Sequence, residues 1–195
     1  MAKPVAARGF ARERVLDAAL ELFAQHGIRG TSIQMIAARL GVTKASVYYQ
    51  FQSKDDIVLA VAEPIFDDLA HIQRIADMLP TPQARRDVAL SGVVDLVIRH
   101  RQVANVVYGD PVMTELINTH PDLHHIVDSF TDLLLGARRT DSDLVAMTML
   151  TAGIYGCAAD SRLRGITDDD LRDMLQDIVK IFTAALSAHC QTGPR

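Results

Sequence analysis

Tryptophan is absent from this chain, aromatics of all kinds make up 5% of it, and cysteine occurs only twice. Cys157 and Cys190 lie far apart and outside any C-x-x-C or zinc spacing, so free thiols in a reducing compartment are expected rather than a disulfide framework or a thiolate metal site. No stretch reaches the roughly 18 consecutive apolar residues of a membrane span. The opening residues MAKPVAARGFARER hold no apolar run of the secretory kind. Period-two alternation bounded by hairpin turns is missing, as is any internal repeat. There is no Gly-rich phosphate loop, no G-x-S-x-G and no H-E-x-x-H. The chain is therefore not expected to be an enzyme; only an acid–base pair assembled from distant helices would make it one. What is present is apolar: hydrophobic residues form 49% of 195 positions. That excludes global disorder and suffices for a substantial core.

The formal net charge of −4 is unevenly placed. Residues 1–54 hold eight Lys/Arg against three Asp/Glu, a balance of +5, whereas residues 55–195 hold 12 against 21, a balance of −9. Such asymmetry suits a basic head facing a polyanion and an acidic body kept away from it. Lys3 and Arg8 belong to a basic arm over residues 1–8, which either reaches a neighbouring groove or is simply an unstructured terminus.

The stretch Thr31 to Phe51, TSIQMIAARLGVTKASVYYQF, reads as two short helices around the tight turn that Gly41 allows. A first helix over Gly9–His26 precedes it, with Val15, Ala18, Ala19, Leu22 and Phe23 on one apolar face and Gly27 as its stop. Thr31 with Gln34 suggests a capping box for the second helix, buried through Ile33, Ile36, Ala37 and Leu40. Thr43 caps the third, with Val42 and Val47 turned inward. Lys44, Ala45, Ser46, Tyr48 and Tyr49 are left for the outer face. Ser53 starts a fourth, long helix in which Pro64 predicts a kink or a break, and hence a candidate hinge. Leu79-Pro80-Thr81-Pro82 ends it and opens a fifth helix. A short sixth follows near residues 102–107, broken by Gly109-Asp110-Pro111. A seventh starts at His120-Pro121 and ends at Gly136. Thr140 with Asp143 caps an eighth, and Thr167 with Asp170 a ninth. From Leu144 to Ala159 the eighth carries no charge on any face. Such a helix needs cover all round, either inside a bundle or with core on one side and a second subunit on the other. The ninth adds a stripe of Leu171, Leu175, Ile178, Phe182 and Ala185, and a pair of such helices from each of two subunits makes a four-helix interface.

Phe23, Gly27, Gly30-Thr31-Ser32, Ile36-Ala37, Gly41-Val42-Thr43, Val47-Tyr48, Phe51 and Ser53-Lys54 occur in an order and spacing that resembles the TetR family of bacterial transcriptional regulators. The resemblance covers about residues 10–57. It implies an all-α homodimer: an N-terminal three-helix helix-turn-helix DNA-binding domain at 1–52, then a larger helical-bundle ligand-binding and dimerisation domain at 53–195. It also implies a DNA operator, a small-molecule effector and repression relieved by that effector. Carried over by position, Thr31 and Ser32 hold phosphates, and Thr43, Lys44, Ala45 and Ser46 face the groove. Tyr48 and Tyr49 meet phosphates and base edges, and Lys54 meets another phosphate. Helix N-termini suit phosphates and lysine suits guanine O6 and N7, which supports these roles on physical grounds. Gln50 stands where the family often has His, and Ala45 where it often has Gly.

Phe66, Leu69, Val97, Tyr108, Met113, Phe130, Met147, Thr151 and Tyr155 are the candidates for lining an effector cavity among helices four to eight, or else they are ordinary core. His120, His124 and His125 suggest a metal by spacing, yet no carboxylate accompanies them in a recognised motif, so neither metal nor cofactor is expected. The expectation is a cytoplasmic, ligand-responsive regulator, most simply a repressor, dimerising through the eighth and ninth helices on a near-palindromic operator. The alternative is a structural, nucleoid-associated DNA-binding protein with no small-molecule ligand.

Overall fold

The computed structural model describes residues 5–136 and 140–191, and every regular element among them is a helix. In chain order these are α1 (Val5–Gly30), α2 (Ile33–Leu40), α3 (Lys44–Tyr48), α4 (Lys54–Asp77), α5 (Pro82–Arg99), α6 (Arg101–Val107), α7 (Pro111–Thr119), α8 (Pro121–Leu135), α9 (Asp141–Ala159) and α10 (Asp168–Gln191). Most start on a short polar side chain that accepts one of the free N–H groups of the first turn. The Ala84 N–H donates to Thr81 Oγ1, and Pro82 takes the N1 position. Ser53 and Asp56 satisfy each other reciprocally, as do Thr140 and Asp143. The two hydrogen bonds from Thr140 hold the Asp143 carboxyl below its ordinary range.

Several boundaries differ from the sequence reading. The cap of α2 is Ser32, whose hydroxyl accepts from the Met35 N–H at 3.2 Å. Thr31 is instead 2% exposed and donates its hydroxyl to the Gly27 carbonyl at 2.9 Å. Gly27, at φ 73°, does stop the first helix, but helical structure resumes to Gly30 and begins at Val5 rather than Gly9. Arg8 therefore lies in a helix, while Lys3 lies outside the described residues. The Gly-Asp-Pro triplet is a start as well as a break: Asp110 accepts the Val112 N–H, Pro111 is N1, and α7 follows. His120 closes α7 as its C-cap rather than capping α8. The predicted eighth and ninth helices are thus α9 and α10. The helix α4 continues through Pro64 without a break.

The chain divides into two compact units. One comprises 1–66 with 102–124. Its core joins Val15, Ala19 and Phe23 of α1 to Ile33 and Ile36 of α2, Val47 of α3 and Ile57 and Val58 of α4. The other comprises 67–101 with 125–195. Here α5 is the inner helix: Ala89, Leu90, Val93, Val94, Leu96, Val97 and Ile98 are all buried. Both α9 and α10 pack on it.

The helix α9 does not have cover all round. Ala146, Leu150, Ile154 and Ala158 make a buried row, while Val145, Met149, Ala152, Gly153 and Gly156 are exposed. In α10 the buried row is Leu171, Leu175 and Val179, and Ile178, expected on the inner stripe, is exposed together with Met174 and Ile181. The side chains of Ala185 and Cys190 lie outside the described residues. At 19 residues, and with a mean hydropathy of 1.2 over an 18-residue window, α9 also has the length and composition to cross a membrane, although Asp143 keeps it from being a run of 18 consecutive apolar residues. Its packing on α5 and α10 explains the apolar row without one.

Gly92 marks the closest helix approach in the second unit. A Cβ there would lie 2.8 Å from two Ile72 side-chain carbons. Gly92→Ala is expected to destabilise the chain by about 1 kcal/mol, the overpacking cost of about 1–3 kcal/mol offset in part by the helix propensity of alanine. Urea unfolding measures this, and Ile72→Ala in the same chain should restore most of the loss. A stabilised single variant would mean that the two helices are not held at this distance.

Candidate nucleic-acid interface

The exposed surface of the first unit begins at a turn. Gly41 adopts φ 67° and ψ 31°, and its N–H returns to carbonyls at the end of α2. Only glycine enters that left-handed region freely, which is why the reversal can be so short. The Val42 N–H also returns to the Ala37 carbonyl, at 3.0 Å. Val42 is 40% exposed, not turned inward as expected.

Thr43 then caps α3, accepting the Ser46 N–H at 3.2 Å, with the two hydroxyls 2.9 Å apart. The helix is only five residues long, and one of them, Val47, is fully buried as its anchor. Around that anchor Thr43, Lys44, Ala45, Ser46, Tyr48 and Tyr49 all face solvent. The Lys44 ammonium sits 5.6 Å from the Tyr48 ring centroid. Neither tyrosine ring is buried in the small domain, and Tyr49 is 68% exposed. An outward surface with a cation, two hydroxyls, two phenols and a methyl offers donors, acceptors and an apolar contact, the chemistry needed to read base edges and grip phosphates.

Behind this surface lies a bracket. Lys54 Nζ donates to the carbonyls of Ile28 at 2.9 Å and Thr31 at 3.2 Å. Both carbonyls lie at the junction of α1 and α2, and the Ile28 carbonyl also accepts the Thr31 N–H at 3.3 Å. Lys54 is thus a brace between α4 and the α1–α2 junction, with two of the three N–H donors of the ammonium expected to meet a phosphate engaged internally. Thr31 likewise spends its hydroxyl internally, so at the start of α2 it is Ser32 that offers an exposed hydroxyl. Two further contacts were not read from the sequence. The Arg12 guanidinium lies 5.0 Å from the Phe51 ring centroid and 3.9 Å from Glu63, and Arg39 pairs with Glu21 of α1. An exposed basic helix face next to the Phe51 position was the available signal.

The candidate cavity residues fall in both units. Phe66, Tyr108 and Met113 belong to the first, and Leu69, Val97, Phe130, Met147, Thr151 and Tyr155 to the second. Phe66, Val97, Met113 and Phe130 are core, and Tyr108 is 42% exposed. Two grooves of the second unit are lined by other side chains. One, of about 320 Å³, runs along Asp68, His71, Ile72, Ile75 and Arg99. Asp68 accepts from Arg99 and meets His100 Nε2, each at 2.8 Å. Burial alone would raise the Asp68 carboxyl, but the His100 hydrogen bond and the Arg99 charge outweigh it and hold the group below its ordinary value. The second groove lies between α5 and α10. Among the described residues no cluster of His, Cys, Asp or Glu is placed to hold a metal ion.

Residues 15–61 match the family described as "Bacterial regulatory proteins, tetR family". Over the same region the chain is 40% identical across 52 residues to the HTH-type transcriptional regulator AcrR of Shigella flexneri. It is 38% identical across 58 residues to the HTH-type transcriptional repressor KstR2 of Rhodococcus jostii. These matches span 27% and 30% of this chain but only 24% and 28% of those relatives. The likeness in fold extends further. The ketosteroid transcriptional regulator KstR2 of Mycobacterium tuberculosis superposes with a TM-score of 0.67 at 21% identity, covering 89% of this chain and 93% of that one. The regulator PfmR of Thermus thermophilus gives 0.61 at 18% identity, covering 87% and 96%.

Lys54→Ala removes two charge-assisted hydrogen bonds to carbonyls of the α1–α2 junction. It is expected to lower stability by about 1–3 kcal/mol, whereas the exposed Lys44→Ala should change it by less than about 0.5 kcal/mol. Urea unfolding of the two variants distinguishes them, and equal stability would remove the bracing role.

Proposed function

Through residues 15–61 the chain belongs to the tetR family of bacterial regulatory proteins, and from that premise we propose that it is a ligand-responsive DNA-binding transcriptional regulator. It acts as a repressor on a near-palindromic operator and is released by a small molecule. The observation that carries the reading is the exposed face of α3, built around the single buried anchor Val47. In this reading residues 1–52 form the DNA-binding domain and 53–195 the ligand-binding and dimerisation domain. Lys44, Ala45, Ser46 and Thr43 face the major groove, Tyr48 and Tyr49 reach its edge, and Ser32 meets a phosphate at the start of α2. The protein works in the cytoplasm and performs no catalysis of its own.

Dimerisation uses α9 and α10. Their exposed residues include Val145 and Met149 of α9 and Met174, Ile178 and Ile181 of α10, none of them charged. A Cβ on Gly153 or Gly156 would meet nothing within 4 Å, so this side of α9 is open to a close approach by a second copy. The four-helix packing that results buries what a monomer leaves wet. The effector occupies the helical domain, with Phe66, Leu69, Val97, Tyr108, Met113, Phe130, Met147, Thr151 and Tyr155 as candidate contacts. The names of the ketosteroid regulator and the repressor among its relatives support ligand-gated repression as the mode.

Selection of binding sites from random duplex DNA by the full chain tests the proposal. Enrichment of a two-fold symmetric site is expected, with Lys44→Ala relaxing preference at particular base pairs by about 1–3 kcal/mol. Recovery of no preferred sequence would leave only the non-specific, structural role. Ile178→Glu should shift the chain from dimer to monomer in analytical ultracentrifugation and weaken operator binding together with it. A dimer that persists in this variant would put the interface elsewhere.

A further inference from the structure

The groove between α5 and α10 encloses about 440 Å³, within the range of small-molecule sites. Its floor is apolar: Leu90 and Val94 of α5 and Val179 of α10 are all buried. Its polar wall holds Arg86, Gln176 and Lys180. Lys180 pairs with Asp177 at 3.0 Å, Gln176 donates to Ser91 Oγ at 3.3 Å, and the wall's Asp87 accepts the Gln83 amide at 2.8 Å.

Arg86 is the odd member. Its Nε is buried from solvent and has no hydrogen-bond partner. A guanidinium donor in that state is costly, and native structures rarely keep one without a ligand, ion or water to receive it. Asp143 at the start of α9 feels the Arg86 charge, but it makes no hydrogen bond to the Arg86 Nε, and its Oδ2 accepts the Thr140 N–H and hydroxyl.

We propose that this groove is a binding site for a small amphipathic carboxylate, its head on the Arg86 fork and its apolar tail over Leu90, Val94 and Val179. Guanidinium and carboxylate match in planar, charge-assisted geometry, which a neutral head cannot reproduce. The site does not compete with the proposed dimer face. At about 100° per residue, the groove-lining positions of α10 centre roughly 160° around the helix from Met174, Ile178 and Ile181. It is also separate from the nine candidate effector contacts, none of which lines it.

The test uses the full chain and measures binding directly, with no DNA present, so its outcome is independent of the operator reading. Butyrate, hexanoate and benzoate are titrated calorimetrically beside hexanol and benzamide. The carboxylates are expected to bind, and the neutral probes at least about tenfold more weakly. Arg86→Gln should abolish that preference, and Arg86→Lys, which keeps the charge but not the fork, should recover part of it. Thermal melting of the unliganded variants shows that both fold. Three results overturn the proposal: no binding by any carboxylate, equal binding of neutral probes, or an undiminished preference in a folded Arg86→Gln variant.

Discussion

Much of the head depends on one ammonium group. Where α1 ends and α2 begins, the chain makes a bend whose carbonyls point out of both helices. A buried carbonyl without a donor is expensive. Lys54 supplies a donor to the Thr31 carbonyl and a second one to the Ile28 carbonyl from the first position of α4, and Thr31 fills the matching role for Gly27 with its hydroxyl. The two bonds fix the start of α2 relative to the start of α4. Because Gly41 and Val42 then tie α3 back to the end of α2, the attitude of the exposed face follows from that bracket. A short helix of five residues has little stability of its own. It holds its shape because its surroundings leave it no alternative.

The same group shows where sequence reading succeeds and where it stops. Helix starts were legible because caps are local chemistry: Thr43, Ser53, Thr81, Thr140 and Thr167 each lie three residues before the N–H they serve. Thr31 and Ser32 are both good caps, and choosing between them needed Gly27, whose carbonyl claims the threonine. Pattern alone gives a lysine near a basic head a phosphate; only tertiary placement shows that Lys54 faces carbonyls. The start of α7 was hidden for a different reason. Asp110-Pro111 ends one helix and begins another, and the two signals are written with the same residues.

The exposed face of α3 was readable position by position, apart from Val42, because a buried Val47 in a capped short helix leaves few orientations open. The second unit was less readable. Apolar residues dominate α5, α9 and α10, and a hydrophobic pattern does not separate residues that meet a core, a cavity or a second chain. In α9 the absence of charge suggested complete enclosure, whereas the helix is enclosed on one side only. Arg86 gave a better clue than any apolar stripe, since a buried guanidinium N–H without an acceptor needs a reason.

The uncharged outer side of α9 separates two associations by their response to ionic strength. Contact between the basic head and a phosphate backbone releases counterions and weakens steeply as salt rises. Apolar contact across α9 and α10 releases none, and strongly hydrated salts reinforce it. If the chain associates as proposed, concentrated sulfate is expected to strip it from DNA while driving its copies together. Two equilibria that dilution would blur are thereby resolved by the choice of buffer alone.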